Sequence, residues 1–272
     1  MAKSLPAIDV KREEKRIVAF IRRVVARSGA SGVVVGLSGG VDSAVAFALC
    51  VRALGKESVL AALLPSKHTP QGDTEDAVRL ADEWGVTRVS VDISPIVDVL
   101  ISATDAGTVK LARANVQARV RMTILYYLAN SRGLLVVGTG DRSEELLGFF
   151  TKFGDGGADF LPIAHLYKTQ VRLMGEHLGI PPRIASKPAS PQLWPGHTAD
   201  EELPAGYEKL DLVMHRLFDA RGTVPRAARE AGVSRMVVSR VLEMHRKSAH
   251  KRALPPSLRP SSAQSLFMRT KD

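Results

Sequence analysis

Ten residues, GLSGGVDSAV at 36 to 45, concentrate the groups that could do chemistry. Adjacent Gly39 and Gly40 let the backbone turn tightly and come close to an anion. The apolar stretch that follows reads as a helix, whose first N–H groups and dipole favour negative charge. Ser38 and Ser43 add hydroxyl donors. The order of residues is neither the Gly-Lys-Ser/Thr of the common phosphate loop nor the Gly-x-Gly-x-x-Gly of the dinucleotide turn. Asp42 stands where a lysine would be expected. A carboxylate beside a phosphate is repulsive unless a cation lies between them, so these residue types call for Mg2+ with Asp42 as a ligand. The simpler reading is that Asp42 only favours the positive end of its helix.

The elements that must hold this turn can be read from the hydrophobic pattern. GVVVGL at 32 to 37 is short, apolar and β-branched, the mark of a fully buried strand; VLAALL at 59 to 64, RVSVDI at 88 to 93 and LLVVG at 134 to 138 are similar. Helical patterns lie before and between them, at 9 to 27, 42 to 54, 73 to 84 and 110 to 131. Buried strands alternating with helices predict a doubly wound, Rossmann-like parallel α/β sheet with helices on both faces. After residue 150 the pattern changes. FTKFGDGGADFLP reads as a loop, 168 to 178 as a helix, and KPASPQLWPGHTADEELP at 187 to 204 as a long irregular segment, which in a compact domain is more often functional than idle. Helices are expected near 206 to 219, 223 to 231 and 234 to 247. Residues 253 to 272 are expected to form a loosely ordered basic tail of one domain spanning 1 to 272.

Composition narrows the class. The apolar content of 45% supports a full core, and no apolar run reaches the roughly 18 residues of a membrane span. The expectation is a soluble, cytoplasmic protein. Cys50 is the sole cysteine, which excludes a disulfide framework, a thiolate zinc site and a Cys-x-x-Cys redox pair; its place in AVAFALCV points to an inert core position. The net charge of +10 is unevenly spread: from Arg216 to Asp272 there are 13 Lys and Arg against 4 Asp and Glu, an excess of nine. Such a basic region suits a nucleic acid, an anionic small molecule, or mere solubility.

Ser38-Gly39-Gly40-Val41-Asp42-Ser43 resembles the SGGxDS loop of the N-type ATP pyrophosphatases, the PP-loop enzymes. That resemblance implies attack of a substrate oxygen on the α-phosphorus of ATP, with pyrophosphate leaving into the loop. Three more stretches, ANVQARVRM at 114 to 122, GTGDRSEELLGFFTKFGDGGADFLP at 138 to 162 and SAHKR at 248 to 252, resemble the NAD synthetases in the same order, over roughly residues 10 to 252. The resemblance implies adenylation of the nicotinate carboxylate of deamido-NAD and attack by ammonia, giving NAD, AMP and pyrophosphate. It further implies a homodimer. By position, Gly36, Leu37, Ser38, Gly39, Gly40, Val41, Asp42 and Ser43 would form the ATP phosphate loop, with Thr139, Lys168 and Ser190 also contacting ATP. Asp42 and Glu144 would hold Mg2+; Arg119, Lys152, Asp159, His250 and Lys251 would contact deamido-NAD; Asp42, Lys152 and Lys168 would serve catalysis.

The residues alone leave alternatives. Arg119 and Arg121 lie two apart on a helix and cannot both face one site squarely. Glu145 adjoins Glu144, and only the resemblance selects between them. His250 reads as an ordinary surface histidine, and prolines blur the alignment at Ser190. The chain also departs from the pattern: Gly140-Asp141-Arg142 stands where many bacterial relatives carry an aspartate-histidine pair, and the tail lacks their aromatic-acidic ending. A nitrilase-like domain that frees ammonia from glutamine needs a nucleophilic cysteine. With Cys50 expected to be buried, ammonia is the expected nitrogen source, with a separate glutaminase as a possible partner. Two rival readings remain: another PP-loop activity on RNA or a different carboxylate, and DNA binding. The second rests on VPRAAREAGVSRMVVSRVLEMHRK at 224 to 247, which resembles a helix-turn-helix but is equally explained as a plain helical hairpin capped by Gly232 and Ser234.

Overall fold

The buried runs become strands of one parallel sheet in a computed structural model that describes residues 4–104, 109–190, 194 and 202–258. The strands are β1 (Gly32–Gly36), β2 (Val59–Leu63), β3 (Arg88–Ser90) and β4 (Leu134–Val137), in the spatial order β3-β2-β1-β4. Val35 lies between Ala61 on one side and Val137 on the other. Val33, Val34 and Val35 are wholly buried, as strands covered on both faces require.

Helices cover the two faces. The helices are α1 (Val10–Ser28), α2 (Val41–Leu54), α3 (Gln71–Glu83), α4 (Ser94–Thr104), α5 (Lys110–Arg132), α6 (Arg142–Leu147), α7 (Lys168–Leu178), α8 (Pro182–Ala185), α9 (Tyr207–Met214), α10 (Val224–Ala231) and α11 (Arg235–Lys247). Because successive strand residues point to opposite faces, Val33 and Val35 pack with α1, α2, α3 and α7, while Val34, Leu60 and Val136 pack with α4 and α5. A third apolar cluster joins α6 to α9, α10 and α11. Helix α2 is buried almost all round, from Ala44 to Cys50, and burial there pushes the Cys50 thiol far above its ordinary value, so it remains an inert thiol.

Two departures from the pattern have local causes. The strand expected over 88 to 93 stops at Ser90, because the Asp92 carboxylate accepts from the Ser94 backbone N–H at 2.8 Å and its hydroxyl at 2.6 Å. That local bond turns the chain into α4, a helix the periodicity did not announce. The expected helix over 206 to 219 is α9 followed by one wide, π-type turn at His215–Asp219. Residues 224 to 247 form the capped hairpin: Gly232 takes φ +61° after α10, and Ser234 accepts from the Val237 N–H to start α11. Ala227, Ala228, Val238 and Val241 bury its inner side. Among the described residues no helix is long and apolar enough to cross a membrane. Much of the proline-rich 187 to 204 segment, and the tail from 259 onward, lie outside the described residues.

Phe47 is fully buried on α2 and meets Trp84 edge-on, with ring centroids 6.0 Å apart. Replacing it with alanine is expected to cost about 3–5 kcal/mol, read as a lower midpoint in urea unfolding.

Candidate functional site

The strand order reverses between β1 and β4, and ligands of doubly wound sheets gather at the carboxyl ends of strands at such a point. Both chain segments leaving those two ends carry acidic groups. After β1, the turn Leu37–Gly40 leads into α2. Gly39 takes φ +80°, and a Cβ there would lie 2.2 Å from the Asp73 carbonyl oxygen, so no other residue fits without moving α3. The Ser43 hydroxyl donates to the Gly40 carbonyl at 2.9 Å and accepts the Ser38 N–H at 3.2 Å, bracing the turn from inside. Lys187 grips it from outside, donating to the Gly39 carbonyl at 3.0 Å and to Asp73 and Asp76 at 2.6 and 2.9 Å. Helix α2 has no side-chain cap at Gly40, and the N–H groups of its first turn have no partner within the helix, which suits them to phosphate oxygens.

After β4, Thr139 is half-buried and Asp141 is completely buried. Asp141 starts α6 with a capping box: its carboxylate accepts the Glu144 N–H at 2.8 Å, and Glu144 reaches back to the Asp141 N–H. The box aims both side chains at the α2 terminus, so one oxygen each of Asp42, Asp141 and Glu144 falls within 4.8 Å of the others. Into this cluster comes Lys168, the first residue of α7, with 1% of its side chain exposed. Its ammonium lies 2.7 Å from Asp42, 2.9 Å from Glu144 and 3.2 Å from Asp141.

Burial raises the Asp141 carboxyl well above its ordinary value, and burial followed by the nearby Asp42 charge lifts Glu144 to about 7, against the pull of Lys168. For Lys168, burial works downward, but the Asp141, Asp42 and Glu144 carboxylates more than offset it and hold the ammonium above the ordinary lysine value. Three carboxylates thus share one cation. One oxygen of Asp42 and one of Asp141 are buried without a hydrogen bond, as is the Tyr207 hydroxyl, whose ring centroid is 5.4 Å from the Lys168 ammonium. The Asp141 oxygen meets only the Lys168 ammonium, and the Asp42 oxygen meets no donor among the described residues; hard oxygens so placed among three acids fit a divalent ion such as Mg2+.

The remaining expected residues lie on other segments, and of these Arg119 meets the loop carrying Lys152. Asp159 runs beside β4: its carboxylate accepts the Val136 N–H at 2.7 Å and the Tyr126 hydroxyl at 3.2 Å. Lys152 sits in the glycine-rich loop next to Phe153, a non-glycine residue at φ +59°, the kind of backbone strain that collects at functional loops. Arg119 is exposed on α5 and donates to the Lys152 carbonyl at 3.3 Å, whereas Arg121 turns inward to the Leu64 carbonyl at 2.9 Å. The two arginines therefore part as their spacing demands. Lys251 donates to the carbonyls of Gly148 and Phe150 at 2.8 and 2.6 Å, fixing the start of the same loop, and His250 beside it is exposed. Ser190 is half-buried at the edge of the described segment.

Sequence reasoning did not single out Lys187, Tyr207 or Asp211, and it named Asp141 only as a departure from the family pattern. Asp141 had a legible signal, the Asp-x-x-Glu of a capping box. Lys187 had none beyond a basic residue before a proline.

A parallel sheet whose first strand ends in an SGGxDS turn, facing carboxylates from the neighbouring strand end, is the arrangement of the PP-loop enzymes. The chain matches the NAD synthase family over residues 13–255, and it belongs to that family. It is 50% identical over 265 residues to the NH(3)-dependent NAD(+) synthetase of Hyperthermus butylicus, covering 97% of this chain and 96% of the relative. Among solved structures it resembles NMN synthetase from Francisella tularensis, at 33% identity and a TM-score of 0.83, with 94% of this chain and 100% of the other covered. It also resembles the NH3-dependent NAD synthetase of Campylobacter jejuni, at 29% identity and a TM-score of 0.79, covering 93% and 100%.

The Glu144 value sets a pH dependence. With its pKa raised from 4.5 to about 7, the metal-free fold holds this proton more tightly than the unfolded chain; that stabilising contribution is complete below about 4.5 and lost as pH rises through 7. A divalent ion must displace the same proton. Mg2+ affinity measured by titration calorimetry is therefore expected to fall as pH drops below about 7, because Glu144 and the similarly raised Asp141 carboxyl must give up protons to meet the ion. Separately, Gly39→Ala is expected to lower the melting temperature and abolish the thermal shift given by ATP.

Proposed function

We propose that this chain is an ammonia-dependent NAD synthetase that forms NAD from deamido-NAD, ATP and ammonia. The observation that carries the reading is the buried Lys168 joining Asp42 of the phosphate turn to Glu144 of the adjacent strand end. The α2 N-terminus and the Gly39–Gly40 turn receive the β- and γ-phosphates. Asp42 and Glu144, with Asp141, hold Mg2+, which when bound neutralises charge gathering on the departing diphosphate. Lys168 supplies a fixed positive charge at the same place, and Thr139 and Ser190 contact the nucleotide.

Arg119, Lys152, Asp159, His250 and Lys251 orient the dinucleotide so that its nicotinate carboxylate faces the α-phosphorus. A carboxylate oxygen forms the bond to phosphorus, and the bond to pyrophosphate breaks. Ammonia then attacks the acyl carbon, AMP leaves with the shared oxygen, and the nitrogen gives up a proton. The loop carrying Lys152 keeps water from the acyl-adenylate, which would otherwise hydrolyse. Ammonia arrives free or from a separate glutaminase, and the reaction belongs in the cytoplasm.

The likeness to NMN synthetase favours one second reading, in which the amidated substrate is the mononucleotide. Pure protein incubated with ATP, Mg2+ and an ammonium salt decides between them: NAD and AMP are expected from deamido-NAD, at a kcat/KM at least tenfold above that for the mononucleotide acid. Formation of ADP would contradict the α-phosphorus chemistry. Asp42→Asn is expected to lower kcat by two or more orders of magnitude with the fold retained by circular dichroism.

A homodimer belongs to the same proposal. Val99 on α4 and Tyr127 on α5 are each more than half exposed, apolar side chains that a second copy would cover. Light scattering should give twice the 29.4 kDa of one chain, and a Val99→Lys, Tyr127→Lys double variant should give a single one.

A further inference from the structure

Helix α9 reaches the site from the far side of the chain without contributing to the carboxylate cluster, and its Asp211 is fully buried. Both oxygens of that carboxylate are occupied. One accepts the Ser143 hydroxyl at 2.6 Å; the other accepts the Thr169 N–H at 2.9 Å and the Thr169 hydroxyl at 2.8 Å. The Ser143 oxygen in turn accepts the Lys168 N–H at 2.9 Å. The first two backbone N–H groups of α7 are therefore satisfied by a serine and a carboxylate from outside the helix.

The connectivity matters because of what lies beside each partner. Ser143 precedes Glu144 in α6, and Thr169 follows Lys168 in α7. One carboxylate thus ties together the backbones that carry the lysine and one of the acids it must meet. The carboxylate also sits at the positive end of the α7 dipole, which favours its charge. One turn earlier on the same helix, Tyr207 places its ring under the Lys168 ammonium. Helix α9 therefore constrains Lys168 at both its backbone and its tip.

We propose that Asp211 is a positioning residue, acting through Ser143 and Thr169 to hold Lys168 in register with Asp42 and Glu144, a role that rests on the synthetase reading above. A shift of about 1 Å in the ammonium would cost on the order of a hundredfold in rate without removing any group that binds substrate. Loss of Asp211 should accordingly appear in kcat and leave KM nearly unchanged.

The test uses the full chain in the ATP, Mg2+, ammonium and deamido-NAD assay. Asp211→Asn keeps the volume but presents an amide where two sets of donors converge; it is expected to lower kcat about 10- to 100-fold with KM for ATP and deamido-NAD within about twofold of the parent. Ser143→Ala should reproduce part of the loss, and the double variant should be no slower than Asp211→Asn alone, because both act through one connection. Leu210→Ala, at a fully buried neighbour on α9 with no polar role, should lower the melting temperature but leave kcat within about twofold. Equal kcat in Asp211→Asn and the parent, additive losses in the double variant, or a matching kcat loss in Leu210→Ala would each overturn the proposal. Should Asp211→Asn fail to fold, Thr169→Val and Ser143→Ala take its place, and unchanged kcat in both overturns it equally. A parent protein that forms neither NAD nor AMP would instead sink the synthetase reading.

Discussion

The arrangement depends on one ammonium placed among three carboxylates. Asp42, Asp141 and Glu144 approach one another closely enough to repel strongly in a largely buried site, and Lys168 is what permits that approach. The rest of the molecule can be understood as supplying these groups from different directions. The sheet brings the ends of β1 and β4 side by side, the glycine turn and the capping box set the angles of the acids, and α7 delivers the lysine. Because three acids surround a single ammonium, and two of them are held toward the protonated form while no metal is bound, the cluster is suited to take up another cation rather than to exist as a closed ion pair.

The two halves of the site are built in contrasting ways. The phosphate turn relies on main-chain geometry, with Gly39 pressed against α3 and with Lys187 and Ser43 bracing opposite sides. The group around the glycine-rich loop relies on side chains whose polar ends are tied to main chain: the Asp159 carboxylate to β4, and the Lys251 ammonium to the carbonyls at the start of the loop.

Much of this was legible in the sequence because it rests on local rules. The buried β-branched runs became β1, β2 and β4, the helix expected over 168 to 178 became α7 with those bounds, and Gly232 and Ser234 capped the hairpin as their types suggest. What escaped was either short or non-local. Helix α6 spans six residues, too few for periodicity to register, although its capping box was written in Asp141 and Glu144. RVSVDI gave a strand half as long as expected because one side-chain bond from Asp92 outweighed β-propensity. Asp211 and Lys187 look in sequence like ordinary charged residues; their partners lie 42 and 148 positions away, and no window of sequence contains both ends.

The separation between Asp42 and Lys168, 126 residues, has a consequence for how the chain is made. At the usual pace of translation the first acid of the cluster leaves the ribosome on the order of ten seconds before the lysine that neutralises it. The other two acids, Asp141 and Glu144, precede that lysine by only 27 and 24 residues, so the acidic pocket is completed almost together with its counter-charge.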